Sequence, residues 1–393
     1  MTKLLHGLRV LDLTNVLAGP YCGYQLALLG ADVIKVEAPN GGDLARQLGA
    51  SPALNKAAMG ASFLAQNAGK RSVVLDLKSE EGRAQFRDLV ATADALVENF
   101  RPGVMERLGL GYESLRKLRP DLVYCAISGF GQTGPMRDNP AYDQIIQGLS
   151  GVMSITGTPE TAPLRVGYPV CDTLGGLFGA FAVVSALLRR ASTGEGAFLD
   201  VSMLECTLSA LGWPVSNYLT AGVEPRAMGN ENMTAAPSGA FETGDGLLNI
   251  AANKQEQFVT LCGVIGRPEL ASDPRFGERE ARKRHRAELK SLIEAALATA
   301  PAATWEDRLN RSGVPAGRVL TIPQVLQEPQ VTSRGMTTRF EAGAGDGPLT
   351  VIRGGFLVDG DAPSPAQPPP KLGEHSDEIL AEARRQRETR RQA

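Results

Sequence analysis

Asp172 is the one carboxylate in the stretch Arg165 to Arg190 (RVGYPVCDTLGGLFGAFAVVSALLRR), where it separates a short apolar run from a long apolar segment. Two readings fit it. Asp is a favoured helix N-cap, because its oxygens accept bonds from the free N–H groups of a first turn, and Thr173 to Arg190 reads as a helix. A carboxylate can also attack an acyl carbon, and the positive end of a helix dipole holds it in the ionised form that attack requires. The readings are compatible. Gly175, Gly176 and Gly179 each cost about 1 kcal/mol relative to alanine inside a helix, so they predict close approach by a backbone or a ligand. Cys171 is a second nucleophile type, but none of the three histidines (His6, His285, His375) is an obvious partner for it. The chain also lacks the clustered ligands of a zinc site, and no metal is expected.

The elements that must position Asp172 follow from the order of apolar runs. LRVLDL (8–13) reads as a strand, Tyr21 to Leu29 as an apolar helix stopped by Gly30, and DVIKV (32–36) as the next strand, which together have the size of a βαβ unit. SVVLDL (72–77), a capped and acidic helix start at Ser79-Glu80-Glu81, Ala95 to Val97 and LVYCAI (122–127) repeat the pattern. Such alternation predicts a mainly parallel sheet covered on both faces, with ligands bound beyond the carboxyl ends of its strands. The turn Asn15 to Pro20 is therefore a candidate ligand loop. Neither G-x-G-x-x-G after the first strand nor G-x-x-x-x-G-K-[ST] occurs, and GFGQTG (129–134) lacks the strand-to-helix placement of a dinucleotide fingerprint.

The 393 residues suggest two to three domains, and 43% apolar residues are ample for their cores. A net charge of −2, from 41 basic and 43 acidic residues, creates no field that would recruit nucleic acid or a membrane surface. The basic end of the last helix, Arg384 to Arg391, is short and has no aromatic backing, so it reads as a solvated face. Five scattered cysteines, mostly inside apolar runs, read as buried side chains in a reducing compartment. With no secretory signature and no long uninterrupted apolar run, the expected location is the cytoplasm. Composition shifts place a large domain at 1–205, a linker at 206–224, a small domain at 225–320, and a linker and return to the large domain at 321–393.

Several blocks in order resemble the family III CoA-transferases, the group of formyl-CoA transferase, carnitine CoA-transferase and the acyl-CoA racemases. They are GLRVLDLTNVLAGP (7–20), GADVIKVEAP (30–39), NAGKRSVVLDLK (67–78), VENFRPG (97–103), SGFGQTGP (128–135), YDQIIQGLSG (142–151), the Asp172 segment, TGEGAFLDVSM (193–203) and LGEH (372–375). The resemblance implies an α/β fold with a large Rossmann-like parallel-sheet domain built from both chain ends, a smaller inserted α+β domain, and a homodimer of interlocked subunits. It implies exchange of CoA between carboxylic acids, with an acyl-CoA and a small carboxylic acid as partners, CoA thioester as substrate and no permanently bound cofactor. Asp172 would be the nucleophile, through an aspartyl anhydride and an aspartyl-CoA thioester. Tyr142, Leu17 and Ala18 would contact substrate; Val16, Leu75, Lys78, Asn99, Phe100, Arg101 and Arg107 would contact CoA.

Three departures from the family pattern shape the expected chemistry. Formyl-CoA transferases carry Arg where this chain has Ala38, and Lys where it has Pro140-Ala141; their glycine run over the active site is replaced by a loop around Ala235-Ala236-Pro237. An acid pair other than oxalate and formate is expected, with a small dicarboxyl-CoA such as succinyl-CoA as donor. The racemases place a His base where Tyr142 stands, and a tyrosine of ordinary pKa near 10 is a poor base at neutral pH. A 2-methylacyl-CoA racemase and a non-catalytic acyl-CoA-binding protein are the alternatives.

Overall fold

The computed structural model describes residues 3–344 and 347–392. Six parallel strands form its main sheet: β1 (Arg9–Leu13), β2 (Asp32–Glu37), β3 (Arg71–Val74), β4 (Ala95–Glu98), β5 (Val123–Ser128) and β6 (Ala197–Ser202), in the order β3-β2-β1-β4-β5-β6. This is the doubly wound order, whose direction reverses between β1 and β4 and opens a crevice there at the carboxyl ends. The central strands carry apolar residues to both faces because both are covered. Val10 of β1 joins a core beneath helices α1 (Ala18–Leu28) and α3 (Val170–Thr193), while its neighbour Leu11 joins the opposite core under the Glu80–Val90 helix. Helix α2 (Asp143–Leu149) precedes α3 in sequence, and both lie between β5 and β6.

Helix α3 is long and apolar enough to span a bilayer by length and composition. In this fold its glycine-rich face packs on protein instead. A Cβ at Gly176 would lie 2.3 Å from the Ala18 carbonyl oxygen, one at Gly175 would lie 2.8 Å from Met203, and one at Gly179 would lie 2.8 Å from Ile127. The glycines therefore let α1, β5 and the Met203 side chain approach the helix that carries Asp172. Gly176→Ala should destabilise the fold by about 3 kcal/mol, since the obstructing atom is backbone and cannot rotate away; a urea melt within experimental error of wild type would contradict this packing account.

The chain divides into two compact units, one of Met1–Met153, Arg165–Glu224 and Pro329–Ala393, the other of Ser154–Leu164 and Pro225–Glu328. Residues 154–164, expected in the large domain, thus cluster with the smaller unit, which runs eight residues past the expected end at 320. The expected linker 206–224 is mostly helical, as Met203–Ala210 and Gly212–Ala221, and belongs to the larger unit.

The C-terminal return also differs in form. β10 (Thr337–Ala344) and β11 (Gly347–Ile352) make a separate antiparallel ribbon and add no strand to the main sheet. The final helix, Ser376–Gln392, packs on Glu80–Val90 and β3, where Glu382 pairs with Arg9 at 2.8 Å and with Arg71 at 3.0 Å. In the smaller unit, β7 (Ser238–Glu242), β8 (Leu247–Ala251) and β9 (Ala316–Arg318) form an antiparallel sheet whose core includes Phe258, Ile293 and Trp305 from three helices.

Candidate active site

The crevice at the switch point is closed by a reciprocal bond. The Asn15 backbone N–H donates to Asn99 Oδ1 at 2.8 Å, and Asn99 Nδ2 donates back to the Asn15 carbonyl at 2.8 Å, so the segments after β1 and β4 are tied to each other. Beside this tie lies a cavity of about 270 Å³ whose lining includes Asn15, Ala38, Asp43, Leu75, Lys78 and Phe100. Three of the expected CoA contacts, Leu75, Lys78 and Phe100, thus line one cavity. They come together because β3 ends at Val74, short of the expected Leu77, leaving Leu75 to Lys78 to turn across the strand ends. Phe100 is held by its N–H, which donates to Glu98 Oε2 at 2.8 Å. Arg101 and Arg107 are exposed on the segment after β4 and do not line the cavity.

Val16 has a φ of +67°, a conformation a β-branched residue rarely adopts. Its N–H donates to Asp43 Oδ1 at 2.9 Å. Leu17 caps α1 and buried Ala18 begins it, so their N–H groups fall in the first turn, where no intrahelical acceptor exists. Since the Ala18 carbonyl abuts Gly176, the loop from Thr14 to Ala18 runs from the cavity to the first turns of α3.

Asp172 is not the N-cap. Helix α3 starts two residues earlier, at Val170 with Pro169 as cap, and its free N–H groups are taken by another helix: Asp143 Oδ1 accepts from Cys171 at 2.8 Å and from Asp172 at 3.3 Å. Asp143 is itself oriented by Gln147 Nε2 at 2.6 Å, and Gln147 Oε1 accepts from the Val166 N–H at 2.8 Å. The cap is therefore supplied from 29 residues upstream, and the half-buried Asp172 carboxylate is left free of capping duty. The expected effect of the dipole is outweighed: burial, and then the Asp143 carboxylate, push Asp172 up to about 7. Such a carboxylate is substantially ionised at neutral pH and more basic than an ordinary one, hence a better nucleophile once ionised.

Cys171 does not compete, because it is fully buried and burial pushes its thiol up to about 11. Tyr142 directly precedes Asp143 and is 66% exposed, so it is not the buried aromatic that a purely structural role would require. No cluster of three potential metal ligands occurs among the described residues.

What sequence reasoning missed is a set of buried charges below the ligand loop. Lys35, Asp12, Lys70 and Asp43 are at most 1% exposed, with Lys35 Nζ 2.9 Å from Asp43 Oδ2 and Lys70 Nζ 2.8 Å from Asp12 Oδ2. Beside them Arg46 and Glu37 form a buried bidentate pair at 2.7 Å. The available signal was the polar residues Lys35 and Glu37 in a strand of a sheet expected to be covered on both faces, where a charge must find a partner.

The sequence model described as CoA-transferase family III matches residues 5–376. The chain belongs to CoA-transferase family III. It is 39% identical over 388 residues to the succinate–glutarate CoA-transferase of Agrobacterium fabrum, covering 96% of this chain and 95% of that protein. It is 44% identical over 331 residues to the acetyl-CoA:oxalate CoA-transferase of Acetobacter aceti, covering 84% of each. Among solved structures, a CAIB/BAIF family protein from Brucella suis superimposes with a TM-score of 0.85 at 38% identity, over 98% of this chain and all of that one. Family III is an enzyme family, and the Agrobacterium fabrum and Acetobacter aceti proteins are named as CoA-transferases acting with succinate and glutarate and with oxalate. In this family III chain the cavity at the strand ends, the loop after β1 and Asp172 form one continuous run of structure.

Proposed function

We propose that the protein moves CoA from a short dicarboxyl-CoA, of which succinyl-CoA is the leading candidate, to a second small carboxylic acid, with Asp172 as the covalent relay. The observation that carries this is the Asp172 carboxylate, free of the capping bonds that Asp143 makes in its place and held where it is ionised near neutrality. The relatives named for succinate, glutarate and oxalate support the substrate class, since all three acids are small dicarboxylates.

The ionised Asp172 oxygen attacks the thioester carbonyl; the C–S bond breaks, CoA leaves as thiolate and an acyl-aspartyl anhydride remains. The thiolate then attacks the Asp172 acyl carbon, releasing the donor acid and forming an aspartyl-CoA thioester. The acceptor carboxylate repeats the two steps in reverse and restores Asp172. One thioester replaces another, so no external energy source is needed. Leu17 and Ala18 would present N–H groups to the tetrahedral oxyanions, whose stabilisation is commonly the largest catalytic contribution. Leu75, Lys78, Asn99, Phe100, Arg101 and Arg107 would hold the CoA, with Val16 shaping the loop between, and Tyr142 would orient the acyl group. Mixing the enzyme with succinyl-CoA alone tests the scheme: because Asp172 recaptures the thiolate, it should release a burst of succinate equal to the enzyme present and leave CoA on Asp172 as a thioester, and no burst would overturn it.

The protonation state of Asp172 sets the pH dependence. Only the ionised form attacks, so the burst rate should fall about tenfold per pH unit below the midpoint near 7 and level off above it. Asp143→Asn removes the like charge while keeping an acceptor for the Cys171 N–H, and should move that midpoint to lower pH. A profile flat from pH 5 to 8, measured by rapid-quench assay of succinate release, would contradict the assignment of the titrating group.

A further inference from the structure

We infer that Asp43, backed by Lys35, is a positioning residue that clamps the loop after β1 in its catalytic conformation; this rests on the transferase reading above. Side chains hold the loop backbone on both sides of Leu17 and Ala18. Upstream, the Thr14 N–H donates to Asp12 Oδ1 at 3.0 Å, Lys35 Nζ donates to the Thr14 carbonyl at 2.9 Å, and Asp43 Oδ1 accepts the Val16 N–H at 2.9 Å. Downstream, Lys70 Nζ donates to the Pro20 carbonyl at 2.9 Å. Asp43 is in turn fixed from both ends: Oδ1 also accepts the Ala45 N–H at 2.9 Å, and Oδ2 pairs with Lys35 at 2.9 Å.

The positive φ of Val16 shows which way the clamp pulls. A valine does not rest in the left-handed region unless its surroundings impose it, and the bond from its N–H to Asp43 is the imposing contact. That twist turns the chain from β1 into α1 and sets the direction of the next two amides, which lie just before the Ala18 carbonyl that abuts Gly176 of the Asp172 helix. Buried ion pairs add little net stability when compared with apolar packing, so a pair this closely engaged with one loop is better explained by placement of that loop. Fixing amides before charge develops is what an oxyanion site requires.

The test separates placement from folding. Asp43→Ala should lower the burst rate roughly 10–100-fold while the KM for succinyl-CoA changes less than about threefold, because the donors act on the transition state more than on bound substrate. Glycine adopts positive φ without strain, so adding Val16→Gly to Asp43→Ala should recover at least about tenfold of the loss. A purely structural pair would lower thermal stability, leave the burst rate per folded molecule unchanged and show no rescue, and that result overturns the proposal. Should Asp43→Ala fail to fold, the wild-type protein decides: the Val16 amide should exchange with deuterated water as slowly as the amides of β1, and exchange at the rate of a free loop overturns the clamp. A wild type with a normal burst beside an Asp43→Ala variant with the same burst removes this inference alone, whereas a wild type without a burst removes the transferase reading with it.

Discussion

Asp172→Ala should abolish CoA transfer, by about 10⁴-fold or more, and leave the protein folded. The loss is large because the scheme gives the covalent relay to this carboxylate alone: Cys171 beside it is a buried thiol raised to about 11, and the nearby Asp143 is occupied by Gln147 and the N–H groups of α3. The fold should survive for a reason the N-cap reading would not supply. The cap belongs to Asp143, so removing the Asp172 side chain breaks no bond to the helix end. The sign of the pH effect strengthens the point. The folded-state pKa, about 7, lies above the ordinary 3.8, so the native state holds more protons in that interval and the wild type loses stability as pH rises through it. Above pH 7 the ionised carboxylate is a cost the alanine variant lacks, and that variant should melt at the same temperature as wild type or higher. Hydroxylamine added with succinyl-CoA should trap a hydroxamate on Asp172 of the wild type, located by peptide mass spectrometry. Full transfer by the alanine variant would end the assignment.

The parts of this site differ in how legible they were. Asp172 was readable because a lone carboxylate before a glycine-bearing apolar helix is unusual, and the loop at 15–20 because strand and helix periodicity places it at a carboxyl edge. The true cap was not, since Asp143 is 29 residues away and a partner across two helices leaves no local pattern. For the same reason Lys35 and Asp43 read as ordinary charges until the tertiary fold buried them together. The expected linker 206–224 rests on a composition shift, which says nothing against a helix such as Gly212–Ala221, where Pro214 sits near the start and its missing N–H costs nothing. RGMTTRFE (334–341) and GPLTVIRG (347–354) carry strand-like composition, but the pairing of β10 with β11, and not with the main sheet, depends on contacts that no short window contains.

Assembly should show the second large effect. Helix α3 buries its Gly175, Gly176, Gly179 and Val183 face, yet its other side carries Leu177, Phe181 and Leu188, of which the last two are 70% and 74% exposed. Those three fall at i, i+4 and i+11, a single stripe along the helix. In the same unit the Gly212–Ala221 helix exposes Trp213 at 72% and Leu219 at 76%. A helix apolar all round needs cover on all sides, and exposed apolar surface of this kind marks an interaction face. With Ser185 and Arg189 interleaved in the outer surface of α3, a second copy of the chain suits it better than hydrocarbon. Interlocked subunits, which the family resemblance implies, would separate only through partial unfolding, at the rate of the unfolding barrier and not by mass action. The expected result is a homodimer that persists at nanomolar dilution and exchanges no subunits with a tagged copy over hours. Phe181→Asp combined with Leu188→Asp, introduced before synthesis, should prevent the dimer from forming. Ready mixing of tagged and untagged subunits would refute interlocking while leaving Asp172 untouched, and a wild-type monomer that partitions into lipid vesicles would assign the stripe to a membrane.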